Sequence, residues 1–460
     1  MSLHTGLRLL CLLLLVATAA APAAILNVRS DASEDPSAVG CPLVTPCALR
    51  DALRIASANG QDDSIRLQDP SSFSGGQAYS YHAAASDRDR DLLIVRENGL
   101  ALFDAGQAVL FFDLETSGSG DFELDGLTLS NSDADYTVQP VLRVRTQGDI
   151  RLRNCAFTEH RRIAFDYPDE AAAAADLEGR RVQIENCGFL QNRPGAVRIV
   201  ADRAEVRGSN FIDNGDPNLR GGAALQILAR SAQVDDNSFL SNLVSSTSAA
   251  GALQLALTRS GIPQITPADS SVSGNLFDDN SSGDEAAGGA ASIVRSADFL
   301  ADLAIDRNVF RRNRAHAGSG AGAGISGGRN TRLLVRGNLV HRNEITLSNS
   351  RAGSGSGLRL RASGELHLLN NTVVRNSAQS CNNGAIHITS EHFQAQLQVH
   401  NIARDNQVTV CMQQDEDLRI DGDPFTVTTL RHNNIGESFL FPGQQPECDR
   451  LAVRAAHLRR

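Results

Sequence analysis

Short apolar alternations, each closed by an asparagine, run through most of this chain. A bulky apolar residue followed three positions later by Asn recurs at Phe189/Asn192, Phe211/Asn214, Phe239/Asn242, Phe277/Asn280, Phe310/Asn313, Val340/Asn343, Val373/Asn376 and Ala403/Asn406, with Phe157/His160 as an imperfect first copy. The mean spacing is about 31 residues, a period that marks stacked repeat architectures. A second Asn stands upstream at Asn154, Asn186, Asn237, Asn275, Asn308, Asn338, Asn371 and Asn401, closing alternations such as Leu303, Ile305 or Leu333, Val335. Between one Asn and the next alternation lies a Gly/Ala/Ser-rich stretch and then another short strand, as in Val197–Ile199, Leu225–Ile227, Leu253–Leu255, Leu358–Leu360 and Ile386–Ile388.

Each period therefore holds at least two short strands joined by tight turns, a unit too thin to bury its own apolar side. Stacking buries it. Repeated strands without amphipathic helices between them predict an all-β right-handed parallel β-helix, each strand bonded to its equivalent one coil away at roughly 4.8 Å. Phe at a fixed inward position forms a stack of rings, and Asn at a fixed corner tolerates left-handed backbone while its amide bonds along the stack. The β-helix is expected over residues 68–430 and most regular from 122 to 406, with strand candidates at Leu92–Val95, Val109–Phe112, Phe122–Leu129 and Val141–Val144. A C-terminal cover is expected over 431–460.

The first 24 residues carry a basic start (His4, Arg8), an apolar run and the small-residue stretch Ala17–Ala24, which fits a secretory signal peptide, so the mature chain is expected outside the cytoplasm, secreted, periplasmic or at the cell surface. No later window is long and apolar enough to span a bilayer. A net charge of −10 and a pI near 5.6 argue against nucleic acid or an anionic membrane as partner. All 43 basic residues are Arg, which removes lysine chemistry, and with no Trp and four Tyr the aromatic platforms for sugar rings are scarce.

Export permits disulfides. Cys381 and Cys411 each lie five residues after a repeat Asn, and Cys155 and Cys187 each lie two before a repeat Phe, so both pairs occupy stacked positions within bridging distance. Pairing is expected for both, with reduced, buried thiols as the other reading of Cys155 and Cys187. Cys448 is left without an assigned partner.

The segment Ile25 to Leu67 resembles the CSLREA domain found at the start of many exported bacterial β-helix proteins. The resemblance rests on the strand Leu26–Val28, Asp31 and Glu34, the pair Cys41 and Cys47, the run from Cys47 to Ala52 (CALRDA), Ala58-Asn59 and Asp63-Ser-Ile65, with Ala48 and Asp51 as departures. It implies an exported β-helix protein without implying a reaction. Leu49, Leu53 and Ala56 share one face of a short helix starting near Cys47, able to cover the open first coil, and a Cys41/Cys47 disulfide would pin the loop leading into it.

In this fold the outward residues of one sheet form a long ladder. The central residues of the Gly/Ala-preceded strands are Arg143, Arg198, Gln226, Gln254, Ser292, Arg359 and His387, with no carboxylate among them. Glycosidic hydrolysis needs two carboxyl groups flanking the bond. Asn-Thr-Asp, Gly-Asp-Asp and Gly-His-Gly, the motifs of polygalacturonases, are absent. Asp235-Asp236, Asp278-Asp279 and Asp306 fall at the Asn corners and read as solvent-facing turn residues. Asp87-Arg-Asp-Arg-Asp91 reads as a solvated, self-neutralising turn.

The function expected is therefore a non-catalytic surface for a polysaccharide, cell-surface or protein partner, formed by Arg143, Arg198, Gln226, Gln254, Arg359 and His387 and flanked by the variable loops after each repeat Asn. No resident cofactor or metal is expected. The alternative is a lyase or epimerase on an acidic polymer, with Arg359 and His387 as catalytic candidates and Ca²⁺ as the ion a lyase would use.

Overall fold

The computed structural model describes residues 23–29, 47–68, 72–74, 78–97, 101–105, 111–134, 140–162, 173–193, 195–215, 223–244, 250–258, 269–284, 288–296, 301–316, 320–346, 355–379, 384–390, 396–408, 416–422, 427–430, 434–435 and 438–439. Successive windows lie on one another in register, every pairing is parallel, and the chain is a parallel β-helix with an N-terminal capping helix. Three long faces run along it, with a further six-stranded parallel sheet of short strands from Leu243–Val244 to Gln407–Val408. Face A gathers the strands that follow the Gly/Ala stretches, from Ala78–His82 and Phe111–Glu115 to Leu358–Ala362, Gly384–Ser390 and Glu416–Gly422. Face B runs from Ala24–Val28 through Asp63–Leu67, Leu92–Arg96 and their equivalents to Val427–Leu430. Face C carries the three-residue strands centred on the repeat Phe, such as Ser238–Leu240, Leu276–Asp278 and Val309–Arg311.

The interior is a set of columns. Phe157, Phe189, Phe211, Phe239, Phe277 and Phe310 stack face to face, the last three pairs at 4.8 Å and within 8° of parallel. Val340, Val373 and Ala403 continue the column, so its volume tapers toward the C-terminal end. Beside it runs a ladder of fully buried amides. In each rung the backbone N–H and Nδ2–H of one Asn donate to Oδ1 of the next: Asn242 reaches Asn280 at 3.0 and 2.9 Å, and its Nδ2 also donates to the Phe211 carbonyl at 2.9 Å. A corner carbonyl that would be stranded is thus satisfied. The residue before each rung has left-handed backbone, as at Asp279 (φ 56°), Arg312 (φ 56°) and Arg342 (φ 55°).

The upstream ladder differs from the sequence reading at its start. Asn237, Asn275, Asn308, Asn338, Asn371 and Asn401 form it, but Asn154 and Asn186 sit one residue earlier, at the left-handed corner (φ 52° and 54°) that Asp236 and Gly274 occupy in later coils. The rungs in those coils are Cys155, Cys187 and Ser209. Cys155 N–H donates to Cys187 Sγ at 3.4 Å, Cys187 N–H to Ser209 Oγ at 3.1 Å, and Ser209 N–H to Asn237 Oδ1 at 2.9 Å.

Cys155 and Cys187 are free and buried, which overturns the expected disulfide between them. Their sulfurs stand in for amides: Sγ of Cys187 accepts from the coil before and contacts the Glu185 and Leu152 carbonyls at 3.3 and 3.6 Å. Cys47 is disulfide-bonded, whereas Cys41, Cys381, Cys411 and Cys448 lie outside the described residues.

Helix α1 (Leu49–Ala56) begins two residues after Cys47 and buries Leu49, Ala52, Leu53 and Ala56. Cys47 pairs with the edge of face B, donating to the Asn27 carbonyl at 3.0 Å and accepting from Arg29 N–H at 3.4 Å, so the cap segment occupies hydrogen-bonding groups an edge would otherwise expose. The turn at Asp87–Asp91 is only partly as expected. Arg88 and Asp89 are solvated, but Asp87 is fully buried and receives Gly60 N–H at 2.6 Å and the Ser86 hydroxyl at 2.5 Å.

Candidate binding face

Face A strands alternate inward apolar and outward polar residues, and parallel register turns each outward position into a row. The central row reads Ser80, Asp113, Arg143, Asp176, Arg198, Gln226, Gln254, Ser292, Gly324, Arg359, His387 and Arg419. All six binding candidates, with Ser292, therefore share one row, and the catalytic candidates Arg359 and His387 occupy adjacent rungs. The second outward row reads His82, Glu115, Arg145, Glu178, Val200, Leu228, Ala256, Val294, Ser326, Arg361 and Thr389.

The expectation of a ladder without carboxylates is wrong at its N-terminal end. Asp113 takes a bidentate bond from Arg143 at 2.8 and 2.6 Å, the Arg143 guanidinium lies 5.3 Å from the Phe111 ring centre, and His82 Nε2 approaches Asp113 at 3.4 Å. Asp176 is held by Arg198 at 2.7 Å. Alternating Asp and Arg one rung apart neutralise each other. These carboxylates are charge partners of arginines, unlike the acid and base of a hydrolase. Arg143 holds its proton more firmly than usual, chiefly through the Asp113 hydrogen bond.

Beyond Arg198 the face changes character. From Val200 to Thr389 neither row contains a carboxylate; Gln226, Gln254 and Ser292 run beside Val200, Leu228, Ala256 and Val294, and Leu228 and Val294 are 41 % exposed. The Oε1 of Gln226 is buried without a hydrogen-bond partner. Arg359, His387 and Arg419 follow in the central row, His387 being buried, and Arg361, Thr389 and Asp421 follow in the second. On face B the central outward row also turns uncharged, through Gln233, Ser271, Ala304 and Leu334, but the row beside it keeps carboxylate–Arg pairs as far as Arg336. Glu205 holds Arg181 at 2.8 Å, Asp306 holds Arg336 at 2.7 Å, and Arg153 and Arg207 reach Glu123 and Asp235.

The corner carboxylates lie away from the central row. Asp236 and Asp279 are turn residues, as expected, but Asp278 and Asp306 are buried ion-pair partners. Burial pushes the Asp278 carboxyl up, yet hydrogen bonds from Arg312 at 2.8 Å and Arg311 at 2.7 Å outweigh it and hold the group below its ordinary range. Among the described residues no group of three or more His, Cys, Asp or Glu is arranged to hold a metal.

Sequence reasoning missed Asp113, Asp176, Arg361 and Arg419. Asp113 was lost because the strand runs Phe111–Glu115 rather than Val109–Phe112, and Asp176 because its strand continues through a bend into the next face as Ala175–Glu185. Arg361 was legible, two residues after Arg359 on the same strand.

No family model and no curated protein matches the sequence. Among solved structures the chain is similar to the crystal structure of the periplasmic alginate epimerase AlgG, at 10 % identity and a TM-score of 0.46, covering 83 % of this chain and 77 % of that one. No helix among the described residues is long and apolar enough to cross a membrane.

Proposed function

We propose that this chain is an exported, non-catalytic β-helix protein that presents face A as an extended binding surface for a polysaccharide of the cell exterior. One observation carries the reading: along face A the Asp/Arg pairing stops at Arg198 and both outward rows give way to amide, hydroxyl and aliphatic groups with Leu228 and Val294 exposed, whereas one outward row of face B keeps its carboxylate–Arg pairs as far as Asp306 and Arg336. A surface whose charges are mutually satisfied has little to offer a ligand. Gln226 and Gln254, half-buried on consecutive rungs, present amides to hydroxyls, with Ser292 buried beyond them, and the neighbouring aliphatic row offers area from which water is displaced. The stretches that follow each repeat Asn vary in length and sequence from one coil to the next, and variable connections beside a rigid face favour recognition. The leader at residues 1–24 and the CSLREA-like cap at 25–67 belong to the same reading of an exported protein.

Affinity electrophoresis of the purified chain through gels containing neutral or uronate polysaccharides tests this. Retardation by at least one polymer is expected, and Leu228→Asp together with Gln254→Ala should lower the apparent affinity by roughly 10-fold with thermal stability retained. Unchanged mobility in every polymer would sink the reading. The lyase or epimerase alternative draws on the adjacency of Arg359 and His387; unsaturated uronate product for a lyase, or a changed uronate C5 configuration in an intact polymer for an epimerase, abolished by Arg359→Ala, would replace binding with catalysis.

A further inference from the structure

The junction between cap and first coils buries two carboxyl groups against which no arginine is paired among the described residues. Asp63 begins a face B strand and is 4 % exposed; Asp87, from the turn that follows Tyr81, is fully buried. The loop leaving α1 holds both. Asn59 Nδ2 donates to Asp63 Oδ1 at 2.8 Å, Gly60 N–H donates to Asp87 Oδ1 at 2.6 Å, and the Ser57 carbonyl accepts Ala84 N–H at 2.8 Å.

The groups facing Asp63 are Asn59 from the loop, Asp62 beside it, Asp87 from the turn and, on the next coil, Asp91, whose N–H donates to Asp62 at 3.2 Å; the buried Tyr81 hydroxyl shares the field of Asp87, Asp63 and Asp91. The nearest cations are turned elsewhere: Arg90 approaches Asp62 at 4.0 Å, Arg88 pairs with Asp89, Arg54 pairs with Asp51, and Arg50 lies over the Tyr79 ring at 5.9 Å. Two carboxylates ionised together in that space repel and are poorly solvated.

We propose that the N-terminal cap is a proton-dependent latch: docking of α1 and its loop on the first coils is tight while the buried Asp63 carboxyl holds a proton and loosens when it ionises beside Asp87 and Asp62. Burial first, then the charges of Asp87 and Asp62, push the Asp63 carboxyl up to about 6, against the opposing bond from Asn59. A carboxyl that binds its proton more tightly folded than unfolded adds stability that is fully present below about pH 4 and is lost as pH rises through about 6. The window lies between weakly acidic and neutral conditions. What loosening uncovers is apolar: Leu49, Leu53 and Ala56 lift away together with the Cys47 contact to the face B edge.

Hydrogen exchange on the full chain at pH 5 and pH 7.5, corrected for intrinsic rates, reads the latch. Protection of residues 47–60 relative to the core strand 197–207 should fall by roughly 10-fold at pH 7.5. Asp63→Asn keeps the oxygen that accepts from Asn59 but cannot ionise, and should abolish the pH dependence; Asp87→Asn removes the repulsion from the other side and should do the same if the first variant folds poorly. A wild-type ratio unchanged between the two pH values, or the same loss in both variants, would overturn the latch.

Discussion

The coils from Phe211 to Asn376 and those from Asp63 to His160 share one backbone path but satisfy it with different chemistry. In the later coils the columns are nearly uniform: Phe on Phe at 4.8 Å as far as Phe310, followed by Val340 and Val373, and Asn on Asn at about 3 Å throughout. In the earlier coils Tyr79, Phe103 and Phe112 meet as mixed stacked and edge-on rings, Tyr81 and Phe122 as a T, and the corner rungs are Cys155 and His160. The geometry needs a donor and an acceptor at the corner and a large apolar group inside; it does not need them to be identical. Identical rungs bring cooperativity along the column, because the same Oδ1 serves a backbone and a side-chain donor at once.

The largest effect is expected where the column is uniform. Asn280→Ala removes the acceptor for both Asn242 N–H and Asn242 Nδ2–H and the donor to the Phe239 carbonyl, leaving three buried polar groups without these partners. At about 1–3 kcal/mol for each stranded group and with partial relaxation, urea denaturation should show a loss of about 4 kcal/mol. The same experiment on Arg88→Ala, an exposed turn residue paired only with Asp89, should show less than about 0.5 kcal/mol. An Asn280→Ala loss below about 1 kcal/mol would mean that the ladder is ornamental.

That contrast also explains how much was legible beforehand. The Phe/Asn period gave the stacked coils, the row of Arg143, Arg198, Gln226, Gln254, Arg359 and His387, and the cap helix with its buried Leu49, Leu53 and Ala56. Where chemistry changed within a column, letters misled. Asn154 and Asn186 read as rungs in the sequence because Asn suits both a left-handed corner and an amide ladder, two different physical demands met by one residue at adjacent positions. Asp87 was placed in solvent because its neighbours alternate in charge, and only the packing of the cap loop shows it is buried. The carboxylates Asp113 and Asp176 escape a local reading because register across coils, rather than local pattern, puts them on the central row of face A.

A middle-sized effect tests the mixed region at its junction with the uniform one. His160 occupies the first rung, its Nε2–H donating to the Leu129 carbonyl at 3.0 Å, and burial pushes its pKa down to about 4. An imidazole kept neutral in the fold but free to charge when unfolded costs nothing above about pH 6.5, and stability is lost as pH falls from there through about 4, by at most roughly 3 kcal/mol. The rung above it is incomplete, since Asn192 Oδ1 is buried without a hydrogen-bond partner. His160→Asn extends the amide ladder by one rung and should raise stability by about 1 kcal/mol at pH 7 while removing its share of the acid loss. Parallel stability-versus-pH curves for the two proteins would show it; identical slopes between pH 6.5 and 4 would place the acid sensitivity elsewhere.

The smallest effect is expected where the chain has already made the substitution itself. Cys187 and Ser209 stand on consecutive rungs, and the Ser209 hydroxyl accepts Cys187 N–H at 3.1 Å while donating to the Arg207 carbonyl at 3.1 Å, the same pair of tasks that Cys187 Sγ performs for Cys155 N–H and the Glu185 carbonyl. Cys187→Ser should therefore change stability by less than about 1 kcal/mol, the remaining difference reflecting a smaller group in a packed column. Because both sulfurs are engaged as hydrogen-bonding groups and shielded from solvent, peptide mapping after alkylation should find Cys155 and Cys187 unmodified in the native protein and fully alkylated after denaturation without reductant. A cross-linked Cys155–Cys187 peptide in that map would show that the mixed end of the column is closed by a covalent bond, and the thiol-for-amide equivalence would fail with it.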